Sequence, residues 1–372
     1  MTVAAYNYNQ LIDVKHIYNH DIMNCTAEGV AGNHLFSGRA LGITEPWDMI
    51  QLHELLKPLW NDIVAHYERV GLSHSFDVLW NLNLKHLGSH IGYHPSVFYY
   101  GPDECQYWGD FGWLGIVEFI NSKNNFMSVA NQVGIDVPLT LCFKSTSDIS
   151  LEDIQDITYP CYLKAAVSVS GVGIYRCESK AELLVNLGNF YKSTPVQIQE
   201  EIITDTFLNL QYKVIGDRAV RLTASEQILD GFVHQGNKVP ASHEPWAAVD
   251  PMADWLVEHG MKGIFAFDVA VVKTERGLRF PAIECNPRFN GASYPTLIAN
   301  KLGIEEWTAL SFNTKHHDLA SINLKDIEFD VSTGEGVIIV NWGTVIEGKL
   351  VILMAGSCKC QEELALELKA RL

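Results

Sequence analysis

The chain has 372 residues, 47% of them hydrophobic, which is enough to bury substantial cores in two or three domains. Its formal net charge of −17 lacks the basic footprint of proteins that grip nucleic-acid backbones, and no uninterrupted apolar run reaches membrane-spanning length, so neither a nucleic acid nor a bilayer is an expected partner. Eight cysteines at irregular positions, Cys358 and Cys360 being the only close pair, fit neither a zinc spacing nor a secreted disulfide framework; with no signal-like pattern in Met1 to Gln10, a cytoplasmic, reduced protein is expected.

Residues 1–44 show little periodicity. From Glu45-Pro46-Trp47 the apolar residues Ile50, Leu52, Leu55, Leu56, Leu59, Ile63 and Val64 recur at helical spacing, which predicts a helix kinked at Pro58 and ending near Gly71. Short strands are predicted at Phe76 to Trp80 and at Ser96 to Tyr100, making residues 1–118 a small α/β domain. His86, His90 and His94 stand four apart and would share one face of an unbroken helix as a metal site, but Gly88, Gly92 and Pro95 oppose that helix. The aromatic run from Tyr107 to Trp113 is read as packing two domains together, with a role in shaping a pocket as the alternative.

Asn121-Ser122-Lys123 caps a predicted helix that carries Phe126, Met127, Ala130 and Val133 on one face and closes at Gly134; a strand follows from Leu139 to Phe143. Tyr159 to Tyr175 reads as strand, loop, strand. Lys164 ends the first strand, and the loop holds Ser168, Ser170, Gly171 and Gly173. Small residues let backbone amides approach a phosphate and a nearby lysine supplies charge, although the Walker ending is absent and an ordinary surface turn is the alternative. The strand from Val196 ends in Glu200-Glu201-Ile202-Ile203, either a core edge or a hinge against which a base packs. Farther on, Arg221 is a candidate carboxylate binder or simply a solvated strand residue. Gly336 to Trp342 and Lys349 to Met354 are predicted strands, and Gln361 to Leu368 a helix.

The strongest signal lies in Ile264 to Lys273 and Leu278 to Glu284, two predicted strands joined by Glu275-Arg276-Gly277 as a three-residue hairpin loop. Thr274 would then face Leu278, and the ladder would set Asp268 opposite Glu284 with Cβ atoms roughly 5 Å apart. Alternation puts Glu284, Asn286 and Arg288 on the same side as Asp268. Two opposed acids repel, and a carboxylate in an apolar strand is costly without a partner. A divalent cation removes both costs, and oxygen-only ligands favour Mg²⁺ or Mn²⁺. The alternative is an ion-pair network with Arg288 that merely ties the hairpin.

Lys123, Lys164 with its small-residue loop, Glu200-Glu201-Ile202-Ile203, Asp268 and the Glu284-x-Asn286-x-Arg288 element follow one another in an order that resembles the ATP-grasp superfamily over residues 115–300. The resemblance implies an ATP-grasp fold, α/β and α+β, with an N-terminal α/β domain at 1–118, an ATP-grasp domain at 119–325 holding a mobile lid at about 158–197, and C-terminal strands and a helix at 326–372 completing the core. It implies that Lys123 and Lys164 contact the phosphates of ATP, that Ser168, Ser170, Gly171 and Gly173 form the lid loop, and that Glu200, Glu201 and Ile203 lie beside adenine. Asp205 is the candidate for ribose. Asp268, Glu284 and Asn286 would hold the metal ions, and Arg288, with Lys164, would act on the transferring group. The sequence departs from the pattern in carrying Ser122 where many relatives have an acid, and aspartate at 268 where glutamate is common. The implied activity is an ATP-dependent carboxylate–amine ligase working through an acyl phosphate, with small-molecule carboxylate and amine substrates. An ATP-dependent carboxylase is the alternative, a non-catalytic nucleotide-binding protein a third reading, and a homodimer is compatible with all of them.

Overall fold

A computed structural model describes residues 14–25, 32–168, 173–231 and 233–372. Ser170 and Gly171 lie outside the described residues. The chain opens with a four-stranded parallel sheet of β1 (Lys15–Asn19), β2 (Met49–Gln51), β3 (Asp77–Leu79) and β4 (Tyr93–Val97), in the order β3-β2-β1-β4. Around it run α1 (Trp60–Arg69), α2 (Lys85–Ser89), α3 (Pro102–Trp108) and α4 (Phe111–Ile120). The helix expected from residue 45 begins only at Trp60. Met49, Ile50 and Gln51 are all buried, as in a parallel strand covered on both faces, and such a run is apolar enough to imitate helical periodicity. Pro58 sits in the 3₁₀ segment Glu54–Leu59, ahead of the α-helix proper. His86 lies on α2, His90 just past its end and His94 on β4, so the three share no helix face; no metal-ligating group of three histidine, cysteine or acidic side chains occurs among the described residues.

The helix α5 (Lys123–Val133) closes at Gly134 in the left-handed conformation, as expected. It leads into an antiparallel sheet of β5 (Thr140–Phe143), β6 (Cys161–Ala165), β7 (Ile174–Cys177) and β8 (Val196–Glu200), ordered β5-β8-β6-β7. With α6 (Lys180–Leu187) this sheet, called the lid sheet after the lid expected at about 158–197, encloses its own core of Ile154, Cys161, Leu163, Cys177, Leu183, Val196 and Ile198.

The largest sheet is antiparallel and eight-stranded, in the order β15-β12-β9-β10-β11-β16-β18-β17. Its strands are β9 (Phe207–Ile215), β10 (Arg218–Asp230), β11 (Val233–Val239), β12 (Ile264–Ala270), β15 (Ala282–Asn286), β16 (Trp307–Asn313), β17 (Gly336–Asn341) and β18 (Lys349–Ala355); β13 (Val272–Thr274) and β14 (Gly277–Arg279) form a small ribbon. α7 (Asp250–Glu258), α8 (Ser293–Leu302) and α9 (Cys358–Arg371) complete the chain. One core packs α4, α5 and α7 against β9, β12 and β15. Another joins residues between Tyr18 and Leu72 to β16, β17, β18, α8 and α9. From the aromatic run, Trp113 stacks on Tyr100 at 3.9 Å and packs against two core clusters. No described helix is long and apolar enough to cross a membrane.

Candidate active site

Asp268 and Glu284 are register partners, but by a route the sequence did not show. Thr274 pairs with Gly277, so the turn has two residues rather than three. That would displace the ladder by one, and a bulge at Ile283 restores it, since Val269 pairs with Ala282 while Asp268 pairs with Glu284. The bulge also resets the alternation of faces. Ala282 and Cys285 enter the core, while Ile283, Glu284 and Asn286 all border a cleft of about 870 Å³ between the lid sheet and the large sheet.

Four amides converge at the floor of this cleft. Asn209 Nδ2 on β9 and Gln227 Nε2 on β10 each donate to Asp268 Oδ1 at 2.7 Å, and Asn286 Nδ2 donates to Oδ2 at 3.0 Å. Asn290 Nδ2 donates in turn to Asn209 Oδ1 at 3.2 Å. The Oδ1 of Asn286 accepts from Arg288 Nη1 at 2.6 Å. Lys123, only 8% exposed, reaches from the first turn of α5 to Glu284 Oε2 at 2.8 Å. Its backbone N–H donates to Ala166 O at 2.7 Å, which ties the helix start to the end of β6. Lys164 Nζ donates to Gln199 Oε1 on the neighbouring strand at 2.7 Å.

The charges bear on one another. Burial first, and then repulsion from Glu284, push the Asp268 carboxyl up to about 7. Burial would raise Glu284 as well, but Lys123, Lys164 and Arg288 outweigh it and hold that carboxyl below its ordinary value. Burial draws the Lys164 ammonium down to about 8, with Glu284 opposing the shift and Lys123 adding to it. Asp268 thus stands as a crowded carboxylate, with two amides on Oδ1 and one on Oδ2. Hard oxygen donors from two opposed acids, beside the Asn286 carbonyl, suit Mg²⁺ or Mn²⁺, and a cation there would relieve the strain on Asp268.

Glu200, Glu201, Ile203 and Asp205 border the same cleft. Glu200 Oε1 accepts from the Leu139 N–H at 2.9 Å, while Glu201 accepts from Tyr162 Oη at 3.1 Å and from Arg176 Nε at 2.5 Å. Both carboxylates are therefore already engaged, Glu200 by the chain just before β5 and Glu201 by side chains of β6 and β7. Ser168 and Gly173 border a second cavity, of about 620 Å³, which shares Arg288 with the cleft. Arg221 borders neither cavity; it bonds Asp250 and lies 5.6 Å from the Trp246 ring centre, half exposed. Sequence reasoning missed Asn209, Gln227, Asn290, Gln199 and Ile283. A signal for some of them was present: Asn209 with Gln211, and Gln197 with Gln199, are amides at alternate positions of otherwise apolar strands, where buried amides need assigned partners.

The sequence matches no protein-family model and no curated protein. The structure does match solved ones. An N5-carboxyaminoimidazole synthetase from Staphylococcus aureus, complexed with ADP, superposes with a TM-score of 0.62 at 13% identity, covering 98% of this chain and 99% of that one. The fold is that of the ATP-grasp enzymes. An ADP complex of another N5-carboxyaminoimidazole ribonucleotide synthetase gives 0.56 at 11% identity over 96% and 97% of the two chains. A Campylobacter jejuni biotin carboxylase in its β-γ-ATP complex gives 0.50 at 12% identity over 69% and 67%. In this chain the cleft lies between the two sheets, the lid sheet on one side and the large sheet on the other.

Proposed function

We propose that the protein is an ATP-dependent ligase that activates a carboxylate as an acyl phosphate, releasing ADP, and passes the acyl group to an amine with release of phosphate. The carrying observation is that Lys123, Lys164, Asp268, Glu284, Asn286 and Arg288 border one cleft. Asp268, Glu284 and Asn286 would hold Mg²⁺ or Mn²⁺, which when bound supplies charge neutralisation on the terminal phosphates. Lys123 and Lys164 would meet the phosphoryl oxygens as charge moves onto them, Lys123 leaving Glu284 to do so. Arg288, anchored through Asn286, would steady the oxyanion formed as the amine adds to the acyl phosphate. Glu200 to Ile203 would border adenine, with Asp205 as the ribose acid. The loop between β6 and β7, with Ser168, Ser170, Gly171 and Gly173, would close over the phosphates and keep water from the intermediate.

Carboxylation is the second reading, with bicarbonate as the activated carboxylate. The near-complete overlap with carboxyaminoimidazole synthetases favours it. Incubation with ATP, Mg²⁺ and pooled carboxylates and amines, assayed for ADP, AMP, phosphate and condensed products, separates the cases. ADP with phosphate and an amide product supports the ligase. AMP with pyrophosphate overturns the acyl-phosphate route, and ADP release that needs bicarbonate but no other carboxylate moves the assignment to carboxylation.

A further inference from the structure

Asp268 and the amides around it span four adjacent strands of the large sheet. Asn209 on β9 is the register partner of Asp268 on β12, Gln227 lies one strand farther on β10, and Asn286 comes from β15 on the other side. What each amide touches fixes the way it points. Arg288 can only donate, so the Asn286 oxygen faces Arg288 and the Asn286 N–H turns to Asp268. Asn209 accepts from Asn290 on its own oxygen and likewise turns its N–H to Asp268.

A carboxylate oxygen has about two lone-pair sites. The Asn209 and Gln227 donors, both at 2.7 Å, match the two sites of Asp268 Oδ1, while Oδ2 carries the Asn286 donor at 3.0 Å. The two oxygens of this one acid are therefore unequal. The three donors are also neutral. A lysine or arginine in their place would satisfy the acid too, but would set a fixed positive charge where a cation is to sit. Amides orient the carboxylate without that repulsion, as the outer partners of metal-binding carboxylates do. Cations differ in what they ask of such an acid. Ca²⁺ takes about six to eight oxygens and accepts both atoms of a carboxylate, whereas Mg²⁺ keeps to a tight octahedron that one oxygen from each acid can serve.

Resting on the reading of Asp268, Glu284 and Asn286 as the cation's ligands, we infer that Asn209 and Gln227 are positioning residues that set the site's choice of cation. By occupying Oδ1 they restrict Asp268 to single-oxygen ligation through Oδ2, which suits Mg²⁺ or Mn²⁺ and disfavours Ca²⁺. Asn290 braces Asn209 at 3.2 Å, so the segment that carries Arg288 also steadies this clamp.

Mn²⁺ binding to the full chain with the non-hydrolysable nucleotide AMP-PNP, followed by electron paramagnetic resonance with Mg²⁺ or Ca²⁺ as competitor, tests this. Mg²⁺ should displace Mn²⁺ from the wild type more readily than Ca²⁺ does. Gln227→Met keeps the side-chain length at a half-buried position, and Asn209→Leu keeps the volume at a buried one. Each frees a site on Oδ1 and should shift the competition toward Ca²⁺ by roughly tenfold. The nucleotide's own preference among cations is common to all variants and cancels in that comparison. If Asn209→Leu does not fold, Gln227→Met decides. A purely structural role would weaken every cation alike, so an unchanged Mg²⁺ to Ca²⁺ ratio overturns the inference, as does a wild type that prefers Ca²⁺. Mn²⁺ held by the wild type no more tightly than by AMP-PNP alone strikes the ligand reading itself, and the inference with it; Mn²⁺ held firmly with an unaltered ratio strikes the inference alone.

Discussion

Lys123 and Glu284 occupy each other in the cleft at 2.8 Å, yet their proposed work lies on different parts of a nucleotide. On the proposed reading, the pair holds two charges in a confined space until phosphate and cation would replace each partner. Breaking such a pair from one side leaves an uncompensated charge, which is why the residue scale is where the site is most fragile. Glu284→Gln and Arg288→Ala should each lower turnover by on the order of 10²–10³, as removal of a charge that stabilises a transition state does. Steady-state ADP formation measures it, and undiminished turnover in either variant removes that residue from the proposed machinery.

Between Glu200 at the end of β8 and Phe207 at the start of β9, the chain crosses from the lid sheet to the large sheet. Glu201 is bound to Arg176 and Tyr162 of the lid, whereas Thr204 Oγ1 donates to Val271 O at 2.6 Å on the other side. If the two sheets move against each other as proposed, the pivot would be confined to Ile202 and Ile203, the latter 85% exposed. Arg176→Ala leaves Glu201 only its Tyr162 bond to the lid and should move kcat and KM for ATP together, by roughly 3–10-fold, as hinge changes do; a change in neither would place the pivot elsewhere. Local patterns of this kind were partly legible. The apolar face of α5 and its closing glycine read directly, because a cap and a 3.6-residue period are properties of neighbouring residues. The Asp268–Glu284 pairing also read correctly, although through a turn one residue too long and an unforeseen bulge that offset each other. The amide clamp on Asp268 did not read, since Asn209 and Gln227 reach it from β9 and β10, and cross-strand register is set by the whole sheet. The early helix failed for a related reason: burial on both faces makes β2 as apolar as a helix stripe.

Across the whole molecule, the N-terminal layer is fastened to the far end of the chain. Glu328 accepts from Arg69 Nε at 2.6 Å and pairs with His66 Nδ1 at 2.7 Å, while His66 Nε2 accepts from the Ile339 N–H at 3.0 Å. Burial by itself would raise Glu328, but the bonds from Arg69 and His66 prevail and hold it at about 2, below its ordinary 4.5. A depressed carboxylate of this kind stabilises the fold above the unfolded value and loses that contribution as pH falls through the folded one. Glu328→Gln should cost about 1–3 kcal/mol at neutral pH, with the gap to wild type narrowing once the pH drops below the ordinary carboxylate range. Urea unfolding at several pH values reads this, and a gap independent of pH would assign the loss to packing.

The core that joins Leu35, Tyr67 and Val70 to Val337, Leu353 and Leu368 also bears on the chain's birth. A ribosome delivers the first group long before the second. The earliest segment must wait, with its apolar face uncovered, while the lid sheet and most of the large sheet emerge and fold behind it. Its missing wall comes from α8, β16, β17, β18 and α9, all later in the sequence. Loss of β17, β18 and α9 would leave both cleft-forming sheets largely made and the layer built from residues 18–72 short of part of its wall, so the late strands decide whether that layer settles.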